Sequence, residues 1–291
     1  MYSKADLAAL LPYPSVDAHK YSRGKMVLVA GSQSYPGAAC LCAYASQKIG
    51  AGYTEVFTDK HNKEIIVSYR PSLVVRSFDE FDPGHALSDH YSGSCVVGPG
   101  FDVVDESMLE LCRNAIVGIK APLLLDGGAL SLVASDDLKD LLLQRKNENY
   151  STVLTPHDGE AARLSAALSE QSDNRLVLAQ TLARSYGSHI VLKGSTTVVS
   201  DGDHTEELAP GSAALAKAGT GDVLAGMIGG LLAQGLSPFD ACILGVVLHG
   251  MSGKCASQVS SMISVCAEEV IDAIPLAIEK LNKGNTKAKE G

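Results

Sequence analysis

Glycine, threonine and aspartate in the run Lys217-Ala218-Gly219-Thr220-Gly221-Asp222, directly ahead of the apolar stretch Val223–Leu232, carry the clearest chemical signal in the chain. Small residues before a helix leave backbone N–H groups unpaired and unshielded. With the helix dipole behind them, those groups favour an anion such as a phosphoryl group. Asp222 falls in the first turn, where a carboxylate can take the proton of a hydroxyl while Gly219, Thr220 and Gly221 stabilise the transferring charge. A glycine turn with a capping aspartate has the same composition, so other segments must decide between the two.

Four segments bear on that choice. Gly31-Ser-Gln-Ser-Tyr-Pro-Gly37 precedes a helix of small residues beginning Ala38-Ala39, which lets a ligand approach the backbone or simply serves packing. Gly98-Pro99-Gly100 gives a defined turn whose first use is structural. In Thr155-Pro156-His157-Asp158-Gly159-Glu160 the proline ends a strand, Asp158 is expected to cap the next helix, and His157 is left at the sheet mouth to meet a ligand. Lys193-Gly194-Ser195-Thr196-Thr197 supplies a cation and three hydroxyls, for a phosphate or ribose or equally for a polar hairpin. Neither a Gly-x-x-x-x-Gly-Lys-Ser/Thr loop nor a Gly-x-Gly-x-x-Gly after the first strand is present, which argues against a P-loop enzyme and a Rossmann dehydrogenase.

The elements that must position these residues alternate along the chain. Short runs rich in Val, Leu and Ile predict strands at Met26–Ala30, Tyr53–Phe57, Leu73–Arg76, Ser94–Val97, Pro122–Leu125, Thr152–Leu154 and His189–Leu192. Helices are predicted at Ala38–Ile49, Glu106–Val117, Asp136–Arg145, Gly159–Ala167 and Asn174–Tyr186. A hairpin around Asp201-Gly202-Asp203 joins Thr196–Ser200 to Thr205–Leu208. The last third reads as helices Asp222–Gln234, Pro238–Ser257 and Ala267–Leu281, with Pro275 kinking or ending the last. Such alternation predicts an α/β fold, a mostly parallel sheet covered by helices on both faces, with ligands at the carboxyl ends of the strands. Without a linker or repeat, residues 1–281 read as one domain and 282–291 as a flexible C-terminal tail.

At 291 residues, 46% apolar and 20% charged, the composition is that of a globular protein. The net charge of −9 offers no basic stripe for nucleic acid. Seven cysteines, none in a Cys-x-x-Cys pair, predict neither a zinc site nor a disulfide framework and favour a reducing, cytoplasmic setting. No signal peptide is read, because Met1–Asp6 opens no apolar run, and no membrane span, because Val223–Gly250 is broken by Gln234, Ser237-Pro238 and Asp240.

Taken together the segments resemble the ribokinase-like superfamily, and within it the ADP-dependent NAD(P)H-hydrate dehydratases. Leu28-Val-Ala-Gly-Ser-Gln-Ser-Tyr-Pro-Gly-Ala-Ala39, Gly98-Pro-Gly100, Thr155–Glu160, Lys193–Thr197, Gly219–Gly226 and Leu248-His249-Gly250 follow the family's motifs in the family's order. The resemblance implies a three-layer α/β/α sandwich and ADP-dependent dehydration of hydrated NADH and NADPH (NADHX and NADPHX), with release of AMP and phosphate. It implies Asp222 as the base, with Gly219, Thr220 and Gly221 as the anion hole. Lys193, Gly194, Ser195, Thr196, Thr197 and Gly221 would contact the nucleotide, and Ala39, Gly100, His157 and Asp222 the hydrate. Mg2+ is implied as cofactor, with no ligands assigned.

The partners expected on this basis are NADHX or NADPHX and ADP, functionally an NAD(P)H-hydrate epimerase, no nucleic acid, no membrane, and further copies of the chain in a homotetramer. Many family members carry an N-terminal epimerase domain, and this chain begins just before the dehydratase part. It departs from the family at Ser212-Ala213, at Lys217-Ala218 and at Gly128, which replaces the second aspartate of an Asp-Ala-Asp-Ala-Leu run. The rival readings are a small-molecule kinase of the same superfamily, of hydroxyethylthiazole or hydroxymethylpyrimidine type, and a non-catalytic nucleotide sensor.

Overall fold

Strand alternation decides which helices go where. The computed structural model describes residues 2–134, 136–168, 172–209 and 211–289. In chain order the elements are α1 (Lys4–Ala9), β1 (Lys25–Val29), α2 (Pro36–Lys48), β2 (Tyr53–Thr58), α3 (Lys63–Tyr69), β3 (Val74–Ser77), β4 (Gly93–Val97) and α4 (Glu106–Gly118). There follow β5 (Leu123–Leu125), α5 (Gly128–Val133), α6 (Asp136–Asn147), β6 (Thr152–Leu154), α7 (Asp158–Ala167), α8 (Arg175–Tyr186) and β7 (His189–Leu192). The chain closes with β8 (Val198–Ser200), β9 (Thr205–Glu207), α9 (Thr220–Ala233), α10 (Pro238–Val259), α11 (Ala267–Asp272) and α12 (Ile274–Lys289).

One nine-stranded sheet takes the order β3-β2-β1-β4-β5-β6-β7-β8-β9. It is parallel from β3 to β7 and antiparallel only through β8 and β9. Met26 and Leu28 of β1, with Val96, Leu124 and Val153, face a core built with α1, α2 and α9–α12. Val27, Val29, Cys95, Val97, Leu123, Leu125 and Leu154 point the other way, into a core with α4–α8. Both faces of the parallel strands are buried, which is why they read as continuous apolar runs.

The order reverses between β1 and β4, and crevices at such points accept ligands in open parallel sheets. The loops after β1, β4, β5, β6 and β7 (those carrying Gly31, Gly98, Asp126, His157 and Lys193) therefore stand in a row along one sheet edge.

Helix α9 reaches that edge because its glycines let it lie against its neighbours. A Cβ on Gly226 would fall 2.1 Å from the Cys42 carbonyl oxygen of α2, and those on Gly229 and Gly230 would meet Val96, Met26 and Ile49. Gly226→Ala must push α2 and α9 apart, an overpacking cost of about 1–3 kcal/mol. A lowered urea midpoint with an unchanged slope is the expected result, and an unchanged midpoint would show that the contact yields freely.

Five helices depart from the sequence-based expectation. α1, α3 and α5 are six or seven residues long, too short for a periodic pattern, although Ser3 and Asp6 form a reciprocal capping box at α1. The helix expected over Ala267–Leu281 is two helices, parted at Ala273. Pro275 lies in the first turn of α12, where its missing N–H costs nothing, rather than inside a longer helix. α12 continues through residues 282–289, the stretch expected to be a tail.

Candidate active site

Gly219 is the N-cap of α9 in the left-handed region (φ +89°), a conformation that side chains other than glycine's resist. The first helical bond runs from Val223 N to Gly219 O. Gly221 and Asp222 therefore keep N–H groups without an intrahelical acceptor, the arrangement that holds an anion. The Thr220 hydroxyl donates to the carbonyls of Leu215 (2.7 Å) and Lys217 (2.9 Å). It ties the preceding turn to the helix, where Thr220 N also donates to the Lys217 carbonyl at 3.4 Å.

Lys193 stands over this turn, its Nζ 3.6 Å from where a Gly221 Cβ would be. It pairs with Asp126 Oδ1 at 2.8 Å and lies 3.8 Å from Glu160 Oε2. Asp126 also accepts from the Thr155 hydroxyl at 2.6 Å. Burial alone would lower the Lys193 pKa, but the Asp126 and Glu160 carboxylates hold it above its ordinary value. Burial pushes Glu160 up. Asp222 is raised to about 7, chiefly by burial and then by the Asp126 charge, with Lys193 opposing. A carboxyl titrating near neutrality is suited to take a proton from a hydroxyl.

A cavity of about 950 Å³ opens beside the turn. Of the residues singled out in the sequence, His157, Lys193, Gly194, Ser195, Thr197, Thr220 and Gly221 line it. Thr196 instead lines a smaller recess with Asp173, Arg175 and Glu207. Ala39 is fully buried against the Gly31 loop, and Gly100 turns beneath Tyr35 and Ala38 with φ +69°. These two belong to the β1/β4 crevice, not to the cavity wall. Lys217 does line the cavity, with its Nζ 3.9 Å from Cys266 Sγ.

The expected capping role of Asp158 is corrected. The cap of α7 is His157, whose Nδ1 accepts from the N–H groups of Gly159 (3.0 Å) and Glu160 (3.3 Å), while Glu160 Oε2 accepts from His157 N at 2.8 Å. An imidazole nitrogen that accepts carries no proton, so Nε2 holds the ring's N–H, 3.5 Å from Glu160 Oε1. Asp158 instead pairs with Arg175. Arg175, which the sequence did not single out, also donates to the carbonyls of Leu192, Lys193 and Thr196 and shapes the Lys193–Thr197 turn.

The family model described as NAD(P)H-hydrate dehydratase matches residues 26–276. The chain belongs to the NAD(P)H-hydrate dehydratase family. The bifunctional NAD(P)H-hydrate repair enzyme of Escherichia coli (strain K12) is 34% identical over 80% of the chain, which spans 43% of that protein's length. The ADP-dependent (S)-NAD(P)H-hydrate dehydratase of Cenarchaeum symbiosum (strain A) is 26% identical over 97% of this chain and 98% of its own. The fold is that of the ADP/ATP-dependent NAD(P)H-hydrate dehydratase of Bacillus subtilis, crystallised with ATP and Mg2+, with a TM-score of 0.82, 28% identity and 96% of this chain covered. The ribokinase-like α/β/α architecture implied by the motifs is thus the observed one.

One expectation is overturned. The Cenarchaeum protein, matched almost end to end, is named as a dehydratase alone, so pairing this chain with an epimerase function has no support. Among the described residues no helix is long and apolar enough to cross a membrane.

Proposed function

We propose that the chain dehydrates NADHX and NADPHX with ADP as phosphoryl donor. The observation that carries this reading is the meeting of the Asp222 carboxyl, the free N–H groups of Gly221 and Asp222, and the Lys193 ammonium at one turn. ADP would lie in the cavity with its phosphates at Gly219–Gly221 and Lys193 and its nucleoside along Gly194–Thr197. The hydrate would enter from the β1/β4 crevice past Ala39 and Gly100, with His157 Nε2–H donating to it.

Asp222 takes the proton of the hydroxyl on the ring carbon beside the ring nitrogen. The freed oxygen attacks the terminal phosphorus of ADP, and the bond to the AMP oxygen breaks. The α9 amides and Lys193 stabilise the negative charge on the transferring group. The ring-nitrogen lone pair then expels phosphate by breaking the carbon–oxygen bond. Loss of a proton from the neighbouring carbon restores the dihydronicotinamide. The atoms balance as hydrate and ADP giving NADH or NADPH, AMP and phosphate.

Among the described residues no group of three or more His, Cys, Asp or Glu is arranged to hold a metal. A magnesium ion would come with the nucleotide phosphates, the usual way this ion is held, and no step above is routed through it. The setting proposed is cytoplasmic, supported by free thiols at all seven cysteines. Residues 1–281 are taken as one unit because one sheet carries all nine described strands.

Mixing the chain with hydrate, Mg2+ and ADP should produce the near-ultraviolet absorbance of the dihydronicotinamide together with free phosphate. A stable phosphorylated acceptor without that absorbance would instead make the chain a kinase.

A further inference from the structure

Arg175 opens α8 and sends its guanidinium between two loops of the site. Its Nη2 donates to the carbonyls of Leu192 (3.1 Å), Lys193 (3.1 Å) and Thr196 (3.4 Å). Nη2 has two hydrogens, so the three carbonyls share them. Nη1 pairs with Asp158 at the start of α7. The ion pair alone is worth little, because the Asp158 side chain is 71% exposed. The hold on the carbonyls is the larger effect, since a charged donor bonds a carbonyl more strongly than a neutral one does.

That hold has a direction. Arg175 and Thr196 line the smaller recess, whereas Lys193, Gly194, Ser195 and Thr197 line the cavity. The guanidinium therefore stands behind the loop as seen from the cavity. In a trans peptide the C=O and the N–H point in opposite directions. With the Lys193 carbonyl turned back to Arg175, the N–H of Gly194 points away from it, to the cavity side. Among the described residues that N–H donates to no backbone carbonyl. The preceding peptide has the same sense: Leu192 O faces Arg175, and Lys193 N points across to Pro156 O at 2.8 Å. Glycine at 194 permits the close approach, since a Cβ there would fall 2.6 Å from Arg175 Nη2.

We propose that Arg175 is a positioning residue for the donor nucleotide. It holds the Lys193–Thr197 loop from behind, so that the Gly194 N–H and the Lys193 ammonium are presented to one ligand. Through Asp158 it also locks this loop to the one carrying His157. The inference rests on the reading that a nucleotide lies along Gly194–Thr197. The role calls for a planar fork that serves two loops at once, which the compact ammonium of a lysine does not supply.

Calorimetric titration of the full chain with ADP tests the idea, with urea midpoints and steady-state kinetics measured alongside. In Arg175→Lys, which keeps the charge and loses the fork, ADP binding should weaken about tenfold or more, the effect of losing a charge-assisted hydrogen bond. Gly194→Ala keeps the arginine but pushes a Cβ against its Nη2, and should weaken ADP in the same direction. KM for ADP should rise while kcat at saturating ADP stays near the parental value, because Asp222 and the α9 amides are untouched. Parental ADP affinity in either folded variant would overturn the proposal, and a lowered urea midpoint beside it would mark a brace of the fold alone. A fall in kcat with KM for ADP unchanged would overturn it too. A parent chain that binds no ADP would remove the nucleotide reading and this inference with it. ADP binding that the variants weaken, in a chain that turns over no hydrate, would sink the dehydratase reading and keep the inference.

Discussion

Asp222→Asn should abolish turnover and, at pH 8, make the protein more stable. The amide keeps the shape of the carboxyl but cannot take the hydroxyl proton, and loss of a positioned base costs about 10²–10⁴-fold in rate. Nucleotide affinity should be unchanged or improved, because a negative charge beside the phosphate site is gone, so the loss falls on kcat rather than KM. The stability change follows from linkage. An acid whose folded pKa lies above its unfolded value stabilises the fold below the unfolded value, near 3.8, and that contribution is lost as pH rises to about 7. At pH 8 the ionised Asp222 therefore costs ~2–4 kcal/mol, which asparagine relieves. Urea midpoints of parent and variant should converge towards pH 4 and separate by pH 8. Parallel midpoints across that range, or a variant keeping more than about a tenth of parental kcat, would remove Asp222 from the role of base.

Lys193→Met should be damaging in a different pattern. Asp126 is 3% exposed and Glu160 7%, and the lysine is the cation between them. Removing one partner of a buried pair leaves charge uncompensated, at a cost of about 3–5 kcal/mol. Glu160, which burial already pushes up, can escape by binding a proton, so the loss should be larger at pH 8 than at pH 5. Adding Asp126→Asn should recover part of the stability without recovering turnover. Lys193 also opposes the upward shift of Asp222, so the rising limb of the pH–rate profile, centred near 7 in the parent, should move to higher pH in whatever activity remains. A methionine variant as stable as the parent at pH 8, with the same profile, would mean the lysine does not hold the cluster together.

The strands were legible because both sides of a parallel sheet are buried and leave unbroken apolar runs. Observed boundaries lie within two residues of those read from sequence, as at β1, expected over Met26–Ala30 and found over Lys25–Val29. The glycine turn ahead of α9 was legible as well, since Gly219 to Asp222 lie within one turn. What could not be read was anything made between distant parts of the chain. Asp126 and Lys193 are 67 residues apart in sequence and 2.8 Å apart in space. The Arg175 brace is likewise a product of folding. His157 was read as a ligand contact but not as the helix cap, because preference for Ser, Thr, Asp or Asn at that position pointed to its neighbour Asp158.

The contact of α9 with α2 has a consequence for the cost of each turnover. At Gly226 the spacing of the two helices is set by a backbone carbonyl against a Cα, with no side chain between them that could change rotamer. The amides proposed to receive the transferring phosphoryl group are thus mounted on a support with few soft degrees of freedom. Little reorientation is left to be done as charge develops, and the stabilisation those dipoles provide is already in place when the substrates arrive.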